Sequence, residues 1–180
     1  LKEQLFSKHG LEEQDFVVIT GGKMDKKKNI HHLVDAIYEL DNPNIKLIIF
    51  GKADEEISKL IHEKLKHNSI IYLEWLDNLQ IHQYLSISNL CVFPGKHSVL
   101  WEQSVGLGIP GLFKKIKGHE HIDLGGNCIL LENGDKNEIK KNITELSSNS
   151  LKYKKMKKFT QSNGKKYFSY YEIAKRAINE

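Results

Sequence analysis

Phe93-Pro94-Gly95-Lys96-His97-Ser98-Val99-Leu100-Trp101-Glu102-Gln103-Ser104-Val105-Gly106-Leu107-Gly108-Ile109-Pro110 is the stretch that decides how this 180-residue chain folds. It opens at the end of an apolar run, 90–93, that reads as a strand. Pro94-Gly95 breaks the strand, a short polar turn follows, and an apolar helix is predicted over 99–107, closed by glycine. A helix starting beside the carboxyl end of a strand offers unbonded N–H groups and a positive dipole end, which suits an anion. Ser98 reads as the N-cap, and Glu102, one turn in, faces the same crevice, where its carboxylate suits a hydroxyl donor.

Outward from this unit the same grammar repeats. A helix at 1–9 ends at Gly10, and a buried strand at 15–20 stops at the pair Gly21-Gly22. A basic loop, Lys23 to Asn29, leads to Ile30, Leu33, Val34, Ile37 and Leu40 at helical spacing. Strands are predicted at 45–50, 69–73, 90–93, 109–113 and 128–131, and helices at 54–66, 79–87, 136–146, 151–161 and from 169 onward. Continuous apolar strands alternating with helices across short connections predict an α/β fold: a Rossmann-like parallel six-stranded sheet with helices on both faces. Ligands of such sheets lie beyond the carboxyl ends of the strands, so the loops after Thr20, Phe50, Leu73, Phe93 and Phe113 share one edge.

Composition narrows the class. With 39% hydrophobic and 28% charged residues the chain reads as one soluble globular domain. No apolar run approaches the roughly 20 residues of a membrane span. Leu1-Lys2-Glu3-Gln4 opens as a polar helix and not as a signal peptide, and a chain without an initiator Met reads as a segment of something longer. Cys91 and Cys128 each fall in an apolar strand, as small hydrophobes consistent with a reducing cytoplasm. The net charge of +4 comes almost wholly from lysine, Arg176 being the one arginine, so sequence-specific nucleic-acid binding is not expected. The lysines of 152–158 are interrupted at helical intervals by Tyr153, Met156 and Phe159, which reads as a packed helix with a solvated face.

The frame Val92-Phe93-Pro94, Glu102 and Gly108-Ile109-Pro110 resembles the donor-site signature of family 4 retaining glycosyltransferases of the GT-B fold. Glu102 matches the second of that family's two glutamates; at the place of the first stands Pro94, with His97 and Ser98 where a Gly-Phe-Gly-like loop would be. The resemblance extends over about 15–178. Gly21-Gly22-Lys23 followed by Lys28 resembles the family's glycine pair, arginine and lysine, and implies two cations, Lys23 and Lys28, on a diphosphate leaving group. Lysine for arginine keeps the charge and loses the bidentate fork. Phe50-Gly51-Lys52 and Leu73-Glu74-Trp75-Leu76 resemble the loops bordering the base slot; Trp75 reads equally well as core or as slot wall, with backbone contacts at Leu76. The resemblance further implies that Gly95, His97, Ser98, Val99 and Leu100 meet the diphosphate while Glu102 accepts from the ribose.

Other patterns read differently. His119, His121 and Asp123, spaced by two, invite a metal, but the surrounding glycines indicate a polar loop beside the sugar pocket, and the family generally needs no metal ion for its donor. Gly106-Leu107-Gly108-Ile109-Pro110-Gly111 has dinucleotide spacing but leaves a helix to enter a strand, the reverse of that motif's order. Gly21-Gly22-Lys23 lacks P-loop spacing, Asn142-Ile143-Thr144 lies in a predicted helix, and Ser98 with His97 has no third triad member.

The reading is therefore a linker helix at 1–14 and a nucleotide-sugar-binding domain at 15–180, the donor-binding half of a transferase for bacterial surface polysaccharide. Its partners are a nucleotide-sugar or nucleoside diphosphate and its own N-terminal acceptor domain, absent from this chain. Nucleic acid, a cofactor and a metal are not expected, the location is cytoplasmic, and any membrane association runs through the missing half. A non-catalytic nucleotide-binding or regulatory module is the first alternative, and a nicotinamide-dependent oxidoreductase domain the second.

Overall fold

The computed structural model describes residues 1–148 and 151–179. Six strands form one parallel sheet: β1 Phe16–Met24, β2 Ile45–Ala53, β3 Ile70–Leu73, β4 Leu90–Phe93, β5 Gly111–Lys114 and β6 Cys128–Leu131. Their order is β3-β2-β1-β4-β5-β6. The chain thus winds outward from β1 in one direction, crosses back, and winds outward from β4 in the other. At the β1–β4 boundary successive loops diverge, which leaves a crevice at the carboxyl ends of the strands.

Alternation along each strand sends side chains to two cores. Val18, Leu47, Ile49, Leu90, Val92, Leu112 and Leu131 pack under α2 (Ile30–Leu40), α3 (Glu55–Lys64) and α6 (Lys136–Ser147). Val17, Ile19, Ile48, Phe50, Cys91, Phe93 and Phe113 pack on the other face under α1 (Lys2–His9), α4 (Asn78–Ser86) and α5 (Leu100–Gly106). Trp101 of α5, fully buried, stacks on Phe113 with ring centroids 4.9 Å apart. Helix α7 (Leu151–Phe168) closes the domain, and α8 (Tyr170–Asn179) follows it. Tyr153 and Met156 of α7 are buried while Lys152, Lys154, Lys155 and Lys158 are exposed, the split expected for that lysine-rich segment.

Three expectations are corrected. β1 and β2 do not stop at their glycines: they run on as a ribbon, with Gly22 opposite Gly51 and Lys23 opposite Lys52. Helix α7 is longer than predicted and passes straight through Gly164, because a Cβ there would lie 1.9 Å from the Val105 carbonyl oxygen. Glycine at that site serves close approach of two helices and not a helix end. Helix α5 starts one residue later than predicted, after Val99, so Ser98 is not its N-cap.

Candidate functional site

The loops after β1 and β4 are stitched together at the sheet's switch point. Gly95 lies against the backbone of Lys27 and Lys28, and a Cβ on it would meet the Lys27 carbonyl oxygen at 2.3 Å. The Lys96 amide donates to the Lys27 carbonyl at 3.0 Å, and the Asn29 side-chain amide donates to the Pro94 carbonyl at 3.2 Å. Lys28 Nζ donates to the carbonyls of Lys96 and His97, at 3.0 and 2.7 Å. Partial burial pushes the Lys28 ammonium below its ordinary range; Asp25 opposes this shift and Lys96 adds to it.

A cleft of about 260 Å³ opens beside this seam. Gly22, Lys23 and Gly51 from the ribbon, Trp75 and Leu76 from the loop after β3, and Ser98, Val99 and Leu100 all line it. Phe50, Asn78, Ile81 and Gln103 complete the wall. The Gly51 amide donates to the Glu74 carbonyl at 3.2 Å, and Tyr72 Oη donates to the Gly51 carbonyl at 3.1 Å, so the end of β2 positions the Trp75 loop. Trp75 is 68% exposed and lines this cleft, so it is not core.

Eight of the predicted residues therefore meet in one cleft: Gly22, Lys23, Gly51, Trp75, Leu76, Ser98, Val99 and Leu100. Gly21 sits one residue back in β1, pressed against the Phe50 ring. Gly95, Lys28 and His97 belong to the seam next to the cleft. The Leu100 amide, expected to be open to a ligand, is met by Ser98 Oγ at 3.4 Å, because the hydroxyl turns along the loop once it no longer caps α5.

Glu102 does not line the cleft, although its neighbour Gln103 does. The partner its position inside an apolar helix demands is a pair of imidazoles: Nε2 of His97 and Nε2 of His121 each lie 2.9 Å from Glu102 Oε1. The His119 ring rests against His97, with centroids 4.6 Å apart. Asp123, spaced with these histidines in the sequence, instead accepts from the Gly125 amide at 2.8 Å. Among the described residues no group of three or more His, Cys, Asp or Glu is placed to hold a metal ion. Sequence reasoning missed the His121–Glu102 contact; the alternate histidines flagged the loop, but only the fold brings it against α5.

A glycine ribbon, a basic residue on its tip, an aromatic wall and a backbone loop surround one crevice of a Rossmann-like sheet, the architecture of a GT-B carboxyl-terminal domain. The family model described as glycosyl transferases group 1 matches residues 2–163, and the chain belongs to that family. This corrects the assignment to family 4 expected from the motifs: the frame around Glu102 carries a resemblance, but the model that the sequence as a whole satisfies is group 1. A comparison with curated protein sequences finds no match.

Solved structures share the fold. The Anabaena protein Alr3699/HepE, in complex with UDP, superposes with a TM-score of 0.80 at 18% identity, covering 99% of this chain and 51% of that one. Sucrose-phosphate synthase of Thermosynechococcus elongatus gives 0.78 at 17%, covering 98% and 47%. A UDP-N-acetylglucosamine 2-epimerase from Listeria monocytogenes, described as putative, gives 0.75 at 16%, covering 97% and 45%. The chain thus spans about half the length of the structures it resembles, and at such identities the likeness is one of fold. Among the described residues no helix is long and apolar enough to cross a membrane.

Proposed function

We propose that this chain is the donor-binding half of a glycosyltransferase that moves a sugar from a nucleoside diphosphate to an acceptor in polysaccharide synthesis. One observation carries the reading: Lys23, the Gly22–Gly51 ribbon, Trp75 and the loop at 98–100 line a single cleft at the sheet's switch point. The base lies along Trp75 and the Leu76 backbone, and the diphosphate between Lys23 and the seam that carries Gly95, His97 and Lys28, with Gly21 one residue behind the ribbon tip. Glu102, one residue before the cleft-lining Gln103 and not itself in the lining, is assigned to the ribose hydroxyls by its match to the family's second glutamate. In the solved Anabaena neighbour the ligand is UDP or UDP-glucose, which supports a uridine nucleotide as the first one to try.

Catalysis here is neutralisation of a departing diphosphate. Lys23 and Lys28 supply fixed positive charge where negative charge grows, in the role a divalent cation fills elsewhere, so no metal is required. The described lining of the cleft carries no carboxylate. With the phosphate as the nearest base, the acceptor hydroxyl loses its proton on the face the leaving group departs from, which retains the anomeric configuration. A second half, in line with the chain's span of its structural neighbours, holds the acceptor and carries any membrane contact. Free thiols at Cys91 and Cys128 support a cytoplasmic location.

The test is titration of nucleoside diphosphates against the chain, followed by sugar transfer in the full-length protein. Binding of UDP in preference to a dinucleotide, and loss of turnover in Glu102→Ala, are expected. Normal turnover without Glu102 refutes the assignment. Pro94 at the place of the first glutamate favours a second reading, a nucleotide-binding module without transfer chemistry. Binding with no transfer by the intact protein would support it.

A further inference from the structure

Three hollows adjoin one another across the outer side of α5. The cleft described above shares Gln103 with a second hollow of about 320 Å³, walled by His82 of α4, by Gly106 and Leu107 at the end of α5, and by Phe168. This second hollow shares Lys165 and Ser169 with a third of about 550 Å³, bounded by Gln161, Ser162, Lys166, Tyr171 and Glu172. Together they form a groove that leaves the cleft, passes the end of α5 and stops at the junction of α7 and α8.

Close packing fixes its course. A Cβ on Gly106 would lie 2.9 Å from the Phe168 carbonyl oxygen, so α5 and α7 meet backbone to backbone and their neighbouring side chains become the walls. The far turn is held by Ser169, whose amide donates to the Lys165 carbonyl at 3.1 Å and whose hydroxyl accepts from the Glu172 amide at 3.3 Å. Tyr171 stands 73% exposed at that end and Leu107 42% exposed midway.

Apolar plates, Leu107, Phe168 and Tyr171, thus alternate with the amides, hydroxyls and ammonium groups of Gln103, Gln161, Ser162 and Lys165. A pyranose chain has the matching profile, with apolar C–H faces and a rim of hydroxyls, and an exposed aromatic face suits such a ring. Charge narrows the class further. Helix α7 has seven lysines and no acid, and Lys154, Lys155, Lys158, Lys165 and Lys166 are exposed on the side opposite its buried stripe. From Lys154 to Lys166 this row is roughly 18 Å long, and it runs into the third hollow, where Glu172 is the one carboxylate among the described lining.

We propose that this groove is a second binding site, for an acidic oligosaccharide: the stretch of the acceptor chain that trails behind its reacting end. That role rests on the donor-site reading above, whereas binding at the groove is measured separately from it.

The experiment is calorimetric titration of the 180-residue chain with hexagalacturonate, maltohexaose, hexaglutamate and UDP, in the wild type, in Tyr171→Ala and in the double variant Lys165→Ala with Lys166→Ala. Hexagalacturonate should bind the wild type, and neutral maltohexaose roughly tenfold more weakly. Tyr171→Ala should raise the hexagalacturonate Kd about five- to tenfold, and the double variant about fivefold, the latter effect shrinking at high salt. UDP affinity should stay within about twofold in both variants. Hexaglutamate binding as tightly as hexagalacturonate, or an unchanged Kd in Tyr171→Ala, shows diffuse attraction of polyanions and overturns the proposal. So does a full-length protein that no longer binds hexagalacturonate, since its other half then covers the groove. A chain that binds hexagalacturonate and not UDP keeps the groove and overturns the donor-site reading; one that binds UDP and not hexagalacturonate does the reverse.

Discussion

Gly22 and Gly51 face each other in register across β1 and β2, so closely that a Cβ on Gly51 would lie 2.1 Å from the Gly22 carbonyl oxygen. Gly51 also holds φ +113°, where a side chain is strained whatever the space. Gly51→Ala therefore combines overpacking against backbone with dihedral strain, a cost of about 3 kcal/mol. Chemical denaturation is expected to show that loss, and the variant should bind UDP more weakly because the ribbon tip that carries Lys23 is displaced. Unchanged stability and affinity would mean that the pairing has no part in shaping the cleft.

The same two glycines show where sequence reading ran out. The six strands and their helices were legible because each is a continuous apolar run or a helical stripe with a recognisable end. Glycine lowers strand propensity, so Gly21-Gly22 and Gly51 read as strand ends. Pairing across the ribbon overrides that local preference, just as close packing on Val105 overrides it at Gly164. Eight of the cleft's lining residues, Gly22 to Leu100, were named as site residues from the sequence because they follow the predicted strands at one sheet edge, whereas Phe50, Asn78, Ile81 and Gln103 lie inside a strand or helices and were not. The Glu102–His121 contact was not, because it joins elements whose approach is set by α5 and β5 packing and by nothing within either segment.

Trp75 and Trp101 give the protein an internal comparison. Trp75 is 68% exposed on the cleft wall and Trp101 is fully buried. UDP binding should change the Trp75 emission and leave a Trp75→Phe variant, which keeps only Trp101, nearly silent. Trp75→Ala should move unfolding by no more than about 0.5 kcal/mol, as a solvent-facing site does. Loss of a base-stacking surface should weaken UDP binding by about 1–3 kcal/mol. An emission change that persists in Trp75→Phe would place the ligand elsewhere.

The two thiols should be chemically quiet in the folded protein. Burial pushes Cys91 up to about 12, and burial followed by the nearby Asp123 carboxylate also raises Cys128. Since the thiolate is the reactive form, a disulfide reagent at pH 8 should label buried Cys91 no faster than the chain unfolds, half-buried Cys128 slowly, and both rapidly in denaturant. Rapid native labelling of Cys91 would show that its strand opens locally.

Lys28 links the seam to pH. Its ammonium is pushed below the ordinary lysine value of 10.5, chiefly by burial. For stability the sign is that of a depressed base: below the folded pKa the buried charge is a full penalty, and the penalty is relieved as pH rises from the folded pKa to the unfolded one. For nucleotide binding the proposed site gives the opposite sign, because deprotonation would remove its cation from beside the diphosphate together with the ammonium that grips the Lys96 and His97 carbonyls. UDP-glucose affinity should thus fall on the alkaline side with a midpoint below 10.5, while the empty protein gains slightly in stability over the same window. Lys28→Arg, which stays charged throughout, should flatten the affinity profile while keeping a donor on the two carbonyls. Lys28→Met should bind weakly at every pH. An alkaline fall that survives in Lys28→Arg would assign the titration to another group and remove Lys28 from the site.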